Sequence, residues 1–108
     1  MTSLSTPWQP AVLDLIAAAC EGGRDTGKHI GVCGEAAADP LLALVLTGLG
    51  VSSLSMAPTR VPAVRAALRI HDLATCTAMA SAARAARSPQ EARDAVLALA
   101  DKLMSDLV

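Results

Sequence analysis

The sequence has almost no aromatic side chains and little excess charge. Trp8 is the single aromatic residue among 108, with no tyrosine and no phenylalanine. Proteins that bind single-stranded nucleic acids stack the bases on aromatic rings, so this composition excludes such a platform. Nine basic and ten acidic residues give a net charge of −1 at pH 7, which argues against a basic nucleic-acid surface. We therefore expect no nucleic acid among the partners.

Cysteines are few, and long apolar runs are missing. Cys20, Cys33 and Cys76 are widely spaced and form no CxxC pair, which predicts neither a disulfide framework nor a zinc site. The longest apolar run, 40–46, is far shorter than the roughly 20 residues that span a bilayer. No basic segment precedes an apolar one, as it would in a secretory signal. We therefore expect a cytoplasmic protein without a membrane partner.

The length and the hydrophobic content indicate one small folded domain. Hydrophobic residues make up 53% of the chain and charged residues 18%, a balance typical of globular proteins. The 108 residues correspond to a single domain. They are too few for a closed eight-fold β/α barrel, which needs roughly 200–250 residues.

Three helices are predicted in the first part of the chain. Pro10, Pro40 and Pro62 each stand near a predicted helix start, because proline is tolerated in the first helical turn. The first helix is predicted to end at the glycine pair 22–23, since glycine accepts the left-handed conformation there. Asp39 is expected to cap the second helix.

Two short uncharged segments between these helices, 29–33 and 51–55, are predicted to be strands. Their lack of alternation is typical of strands that are buried on both faces of a parallel sheet. Helices alternating with strands imply parallel strands with crossover connections, the α/β class. Two parallel strands do not form a stable sheet alone, and together with the apolar helix faces they would leave apolar surface uncovered. We therefore expect the chain to self-associate.

Two further helices are predicted towards the C-terminus. Asp72 is expected to cap a helix that continues to about Ala86, and Ser88 with Glu91 forms a capping box at the start of the last helix. His71 stands before the first of these helices and is expected to be solvated. The predicted apolar stripe of the last helix consists of Ala92, Ala95, Val96, Leu99 and Leu103.

Cys33 is the position that carries most information about function. It ends a predicted strand and is followed by Gly34 and Glu35. Reacting groups of α/β proteins lie at the carboxyl ends of strands, and glycine lets the chain turn sharply beside a ligand. A thiol there could act as a nucleophile or as a general acid. The structural alternative is that the Cys33 side chain is buried and acts only as a small hydrophobic group.

The other polar residues also have a structural interpretation beside a functional one. Glu35 and Asp39 could bind a cation as a carboxylate pair, or favour a helix N-terminus through charge and capping. Cys20 and Cys76 lie on apolar helical stripes and are expected in the core. His29 begins a predicted strand, and its side chain could have either a structural or a functional role.

Three arginines and three serines complete the candidates. The arginines recur at helical spacing and could bind phosphate, although a solvated helix face is the simpler interpretation. The serines flank a predicted strand without an evident partner base. These residues are Arg60, Arg65 and Arg69, and Ser52, Ser53 and Ser55.

Several short motifs occur in one order along the chain: GK at 27–28, GVCGE at 31–35, AADP at 37–40, GLG at 48–50, LSM at 54–56 and VPAVR at 61–65. This order resembles the end of the phosphoenolpyruvate-binding barrel of enzyme I of the bacterial sugar phosphotransferase system, the phosphoenolpyruvate–protein phosphotransferase family. The resemblance extends from Pro7 to the C-terminus, and its Cys-Gly-Glu segment is quite specific in that setting.

The resemblance implies a fold and a division of the chain. The expected fold is α/β: a partial (β/α) barrel made of its last βα units, with two parallel strands and two extra C-terminal helices. Residues 1–70 would be the C-terminal portion of a phosphoenolpyruvate-utilising TIM-barrel domain, and 71–108 a helical C-terminal extension. The chain is accordingly expected to be the end of a larger enzyme.

The resemblance also implies an activity. Members of the family are magnesium-dependent transferases, or kinases, that move a phosphoryl group from phosphoenolpyruvate to a histidine of a separate N-terminal domain. That histidine then phosphorylates a phosphocarrier protein for sugar transport. The barrel binds phosphoenolpyruvate, releases pyruvate and forms the homodimer. The cysteine that matches Cys33 is the proton donor to the enolpyruvate carbon.

The resemblance assigns this chain only part of that machinery. The acceptor histidine, the substrate-binding arginines and the magnesium ligands of the family lie in segments before the matched part, so no cofactor and no activity are expected of the isolated chain. Ala38 stands where the family often has glycine. Ala57 stands where it often has serine, which puts a hydroxyl role at that position in doubt.

Two other functions stay open at the level of sequence. The chain could be a non-enzymatic module that associates with itself or regulates a full-length enzyme. Alternatively, Cys33 could have a redox role, since a thiol at a strand end beside a helix N-terminus can be unusually reactive.

Overall fold

The computed structural model describes residues 6–102 and residue 104. In this part the chain forms six α-helices and two short strands, with single 3₁₀ turns at Thr6–Trp8 and Pro58–Arg60. The elements are α1 (Pro10–Thr26), β1 (Gly31–Cys33), α2 (Glu35–Ala38), α3 (Pro40–Leu49), β2 (Ser53–Ser55), α4 (Val61–Arg69), α5 (Leu73–Ala85) and α6 (Pro89–Leu99). The predicted order of helices and strands is confirmed, and α2 is an additional short helix. None of the helices described is both long and apolar enough to cross a bilayer.

The sheet consists of β1 and β2, which pair in parallel with Cys33 opposite Ser55. The parallel α/β arrangement is confirmed, whereas a barrel is not formed by the described residues. Val32 and Leu54 are half-buried and pack against the hydrophobic core. The prediction of burial on both faces is wrong, because only this face of the sheet is covered by helices of the same chain.

Helix α3 forms the centre of the molecule. Its residues from Pro40 to Leu46 are all buried, and α1, α4, α5 and α6 pack around it. The predicted cap is confirmed, since Asp39 Oδ1 accepts hydrogen bonds from the backbone N–H groups of Leu41 at 3.0 Å and Leu42 at 3.3 Å. Burial of so apolar a helix on all sides is the main hydrophobic contribution to this fold.

Helices α3 and α5 approach each other closely at Gly48. A Cβ atom on Gly48 would overlap the backbone carbonyl group of Cys76. Cys76 and Met79 of α5 are buried in the same core as α3. The absence of a side chain at this position therefore sets the distance between the two helices.

Helix α1 is longer than predicted. It continues past the glycine pair 22–23 to Thr26 and ends at Gly27, which adopts the left-handed conformation with φ 73°. Gly23 is buried, and a Cβ there would lie 2.9 Å from the Lys28 carbonyl oxygen and 3.0 Å from the Ile30 side chain. The glycine at 23 thus permits close packing and does not end the helix.

His71 is half-buried and hydrogen-bonded at both ring nitrogens, so the prediction of a simply solvated side chain is wrong. Its Nδ1 lies 2.8 Å from the Ala67 carbonyl oxygen, and its Nε2 accepts a hydrogen bond of 3.0 Å from the Asp101 backbone N–H. In this arrangement Nδ1 donates its hydrogen bond and Nε2 accepts one. His71 therefore connects the end of α4 to the segment that follows α6.

The predicted start of α6 is confirmed, but only part of its predicted apolar stripe is buried. The Ser88 hydroxyl accepts a hydrogen bond of 3.1 Å from the Glu91 N–H. Ala92 and Val96 are buried, whereas Leu99 is 45% exposed. Leu103 lies outside the described residues.

Candidate functional site

Cys33 is the last residue of β1 and is exposed. It therefore lies at the carboxyl end of the strand, as the sequence predicts. The structural alternative, a small buried hydrophobic residue, is wrong for this side chain. An exposed thiol at this edge of a parallel sheet is where α/β proteins present reacting groups to a ligand.

The turn after Cys33 depends on Gly34. This residue has φ 88° and ψ −154°, a backbone conformation that is essentially restricted to glycine. Its N–H donates a hydrogen bond of 3.0 Å to the Ser55 carbonyl oxygen, which extends the pairing of β1 and β2 by one residue. Apart from Gly34 and its two chain neighbours, no heavy atom lies within 4 Å of the position that a Cβ would occupy, so the space beside Gly34 is open.

The face of the sheet that carries Cys33 has only small side chains. Gly31, Cys33, Ser53 and Ser55 are all exposed, and they alternate with the half-buried Val32 and Leu54 of the opposite face. A Cβ on Gly31 would lie 2.7 Å from the Ser53 Oγ, so the Ser53 hydroxyl leans over the glycine. The exposed face is thus a shallow polar surface with one thiol and two hydroxyl groups.

Sequence reasoning missed this grouping of the serines with Cys33. It identified Ser53 and Ser55 only as residues flanking a strand. The signal that would have found the grouping is the pairing register, since residues opposite each other in parallel strands share a face.

The carboxylate pair does not form a cation site. Asp39 uses Oδ1 to cap α3, and its Oδ2 accepts a hydrogen bond of 3.3 Å from the Trp8 Nε1–H. Glu35 is exposed in the first turn of α2. The capping interpretation of Asp39 is therefore confirmed, and its oxygens are already engaged.

Magnesium, which the family resemblance implies for the complete enzyme, does not fit the side chains present here. Among residues 6–102 and 104, no three His, Cys, Asp or Glu side chains come together as a metal-binding group. Mg²⁺ requires oxygen ligands in near-octahedral geometry. The described residues of this chain therefore supply no metal site for a chemical step.

His29 is separated from the thiol along the strand. It is exposed and precedes the amino end of β1, whereas Cys33 occupies the carboxyl end. The intervening strand places them on the order of 13 Å apart at about 3.3 Å per residue. His29 therefore cannot act as a base for Cys33 in this conformation.

Cys20 and Cys76 are buried core residues, as predicted. Burial raises the pKa of the Cys20 thiol, although the nearby positive charge of Arg24 opposes this effect. Burial, with a further contribution from the negative charge of Asp72, raises the pKa of the Cys76 thiol. Both thiols therefore stay protonated and unreactive at neutral pH.

The three candidate arginines are all exposed. Arg65 and Arg69 lie four residues apart on α4, in agreement with a solvated helix face. Arg60 ends the 3₁₀ turn Pro58–Arg60, in the connection that follows β2. This connection leaves the sheet at the same edge as Cys33, so Arg60 belongs to the carboxyl side of the sheet.

Comparison with known proteins gives consistent matches. Residues 1–73 match the model of a family described as PEP-utilising enzyme, PEP-binding domain. The chain is 58% identical over 99 residues to the phosphoenolpyruvate-protein phosphotransferase of Streptomyces coelicolor, a match that covers 92% of this chain and 18% of that protein.

More distant relatives have related names. The multiphosphoryl transfer protein of Xanthomonas campestris is 40% identical over 84 residues, covering 78% of this chain and 10% of that protein. The phosphoenolpyruvate-protein phosphotransferase of Latilactobacillus sakei is 38% identical over 74 residues, covering 68% of this chain and 13% of that protein. The chain thus spans less than a fifth of the length of these relatives.

Proposed function

Because the chain belongs to the family of PEP-binding domains of PEP-utilising enzymes, we propose that it supplies the proton-donating thiol of a phosphoenolpyruvate-protein phosphotransferase. The resemblance to this family seen in the sequence is confirmed. The observation that carries the proposal is the position of Cys33, exposed at the carboxyl end of β1. The open space beside Gly34 supports it, because a planar substrate needs access to the sulfur.

The proposed step is general acid catalysis on enolpyruvate. Loss of the phosphoryl group from phosphoenolpyruvate leaves enolpyruvate, whose carbon 3 must gain a proton to become pyruvate. The S–H bond of Cys33 breaks as the new C–H bond forms, and the electron pair on the enolate oxygen completes the carbonyl group. The thiolate that remains takes a proton from solvent. Such positioned acids contribute about 10²- to 10⁴-fold to a rate.

The rest of the reaction is proposed to depend on other parts of the protein. This chain covers 18% of the Streptomyces coelicolor relative, and phosphoryl transfer needs cations around the phosphate as well as an acceptor. We propose phosphoenolpyruvate and a phosphocarrier protein as partners of the whole enzyme, magnesium as its metal, and the cytoplasm as its location. Arg60 is the residue of this chain best placed to contact an anionic substrate.

Helices α5 and α6 are proposed to be an addition to the PEP-binding part. The family match ends at residue 73, where α5 begins, close to the boundary between 70 and 71 that the sequence predicts. Both helices pack in the same core as α3. Their proposed role is to cover α3, and no chemical step is assigned to them.

The proposal is tested with a chimera in which this chain replaces the matching segment of the Streptomyces coelicolor relative. We expect the chimera to release pyruvate from phosphoenolpyruvate at a rate comparable to that of its parent, since the two segments are 58% identical. The parent with this segment deleted is the control and should be inactive. A chimera that folds and associates like its parent but releases no pyruvate would contradict the proposal.

A second candidate function, self-association, is favoured by exposed leucines. Leu15, Leu73, Leu97 and Leu99 are 71%, 65%, 40% and 45% exposed, and the outer edges of β1 and β2 are unpaired within the described residues. The exposed apolar surface thus lies on helices, as one part of the sequence prediction had it, and not on the sheet face. We propose that this surface supports a homodimer, in isolation or within the enzyme.

Self-association is measured by sedimentation of the isolated chain at micromolar concentrations. We expect a species larger than a monomer, and weaker association when Leu15 and Leu73 are both replaced by aspartate, because charges on an apolar contact cost free energy. Ala78→Asp is the control, since Ala78 is exposed on α5 about 140° around the helix from Leu73, and it should not change association. A compact monomer for the unaltered chain would exclude this function.

A further inference from the structure

We infer that Ser55 is a positioning residue for the Cys33 thiol, its hydroxyl donating a hydrogen bond to Sγ as the thiol gives up its proton. The inference rests on the proposed proton donation by Cys33. It goes beyond that proposal by naming the group that stabilises the sulfur after the proton has left.

The register of the sheet places the two side chains together. Cys33 and Ser55 are directly opposite each other in parallel strands, whose axes lie about 4.8 Å apart. Both residues are exposed, whereas Val32 and Leu54 occupy the opposite, half-buried face. Sγ and Oγ therefore project from the same face as direct cross-strand neighbours, the arrangement on which the inferred O–H···S hydrogen bond depends.

Backbone hydrogen bonds on both sides hold this register. The Ser52 N–H donates to the Ile30 carbonyl oxygen at 2.8 Å before the strands, and the Gly34 N–H donates to the Ser55 carbonyl oxygen at 3.0 Å after Cys33. The second bond attaches Ser55 to the residue that follows the thiol. A shift of one strand against the other would break this ladder, so the Cys33–Ser55 pair is fixed.

The Ser55 hydroxyl is available for this role. It makes no hydrogen bond with any side chain or backbone group of residues 6–102 and 104, so it is free to turn towards Cys33. Asp39 is engaged with Trp8 and the start of α3, His29 lies at the other end of β1, and a negative Glu35 would oppose a thiolate. Ser55 is thus the neutral donor that faces Cys33.

The expected effect follows from the charge that develops on sulfur. Hydrogen bonds to an ionised acceptor are roughly twice as strong as bonds between neutral groups. An O–H···S bond that strengthens as the thiol becomes a thiolate stabilises the transition state more than the ground state. The role of Ser55 is therefore expected to appear in kcat and much less in KM.

The first test measures alkylation of Cys33 in the isolated chain by iodoacetamide at neutral pH. Ser55→Ala is expected to slow this reaction about three- to tenfold, because the negative charge that develops on sulfur during the reaction loses its hydrogen-bond donor. Ser53→Ala is the matched control, since Ser53 lies on the same face but opposite Gly31, and it should leave the rate unchanged. Ser55→Thr keeps the hydroxyl and should restore most of the rate. Equal rates for Ser55→Ala and Ser53→Ala would overturn the inference.

The second test measures pyruvate release by the chimera. Ser55→Ala should lower kcat about tenfold with little change in KM, and Ser53→Ala should change neither. If the chimera is inactive or does not need Cys33, the proposed function fails, while the alkylation rates still decide whether Ser55 acts on the thiol. If Cys33 is essential but Ser55→Ala behaves like Ser53→Ala in both tests, only the inference about Ser55 fails.

Discussion

Replacing Gly48 by alanine is expected to lower the free energy of unfolding by about 3 kcal/mol or more, which is at the upper end for overpacking of a core. The new Cβ would overlap the backbone carbonyl group of Cys76, and a backbone group cannot rotate away as a side chain can. Helices α3 and α5 would have to separate, which loosens contacts around Met79 and its neighbours. Urea denaturation followed by far-ultraviolet circular dichroism measures the change.

Gly22→Ala is the matched control for this experiment. Gly22 lies inside α1, and no heavy atom is within 4 Å of the position of its missing Cβ. Alanine is favoured over glycine in a helix by roughly 0.5–1 kcal/mol, so Gly22→Ala should stabilise the protein slightly. Equal stability of the Gly48→Ala variant and the unaltered protein would show that α3 and α5 do not pack as described.

Replacing Cys33 by alanine in the chimera should reduce the rate of pyruvate formation by about 10²- to 10⁴-fold, the usual contribution of a positioned general acid. Binding of phosphoenolpyruvate should change little, because the thiol acts on carbon 3 only after the phosphoryl group has left. The exposed position of Cys33 means that the substitution should not unfold the protein. Steady-state kinetics separates kcat from KM.

Cys20→Ala provides the comparison for that result. Cys20 is a buried thiol of α1, remote from the strand end, so its loss should cost some stability but leave kcat near that of the unaltered chimera. Normal pyruvate formation by the Cys33→Ala variant would show that another group donates the proton. The polar sheet face would then need a different explanation.

The helix starts could be predicted from sequence because each depends on neighbouring residues. Asp39 accepts from N–H groups two and three residues ahead, Asp72 from the Thr75 N–H at 2.8 Å, and Ser88 from the Glu91 N–H. The hydrogen bond from Thr75 also lowers the pKa of the Asp72 carboxyl. A cap of this kind is complete within one helical turn, so local sequence is sufficient to find it.

The wrong predictions involve residues that are distant in sequence. His71 was expected to be solvated, but its hydrogen-bond donor at Asp101 follows 30 residues later. Gly23 was expected to end a helix, but it allows the chain at Ile30 to pass close to α1. Periodicity along a single segment contains no information about such contacts, which depend on how the chain folds back.

In the candidate site, too, the feature that depends on neighbouring residues was predictable, and the feature that depends on distant residues was not. The position of Cys33 at a strand end was predictable, because strand, glycine and acidic residue follow one another directly. Its neighbour Ser55 was not, since the register of two strands joined by a helical crossover is decided by packing on α3. A pair of residues that matters for the chemistry can therefore be missed in the sequence when the residues around one member contain no recognisable motif.

The environment of Trp8 has a practical consequence. Its ring is buried, with 4% of its surface exposed, and its Nε1–H bonds the same carboxylate that caps α3. Because the chain has no other aromatic residue, its intrinsic fluorescence has a single source. A red shift of that emission therefore reports the moment when the segment before α1 detaches from the start of α3, without any added label.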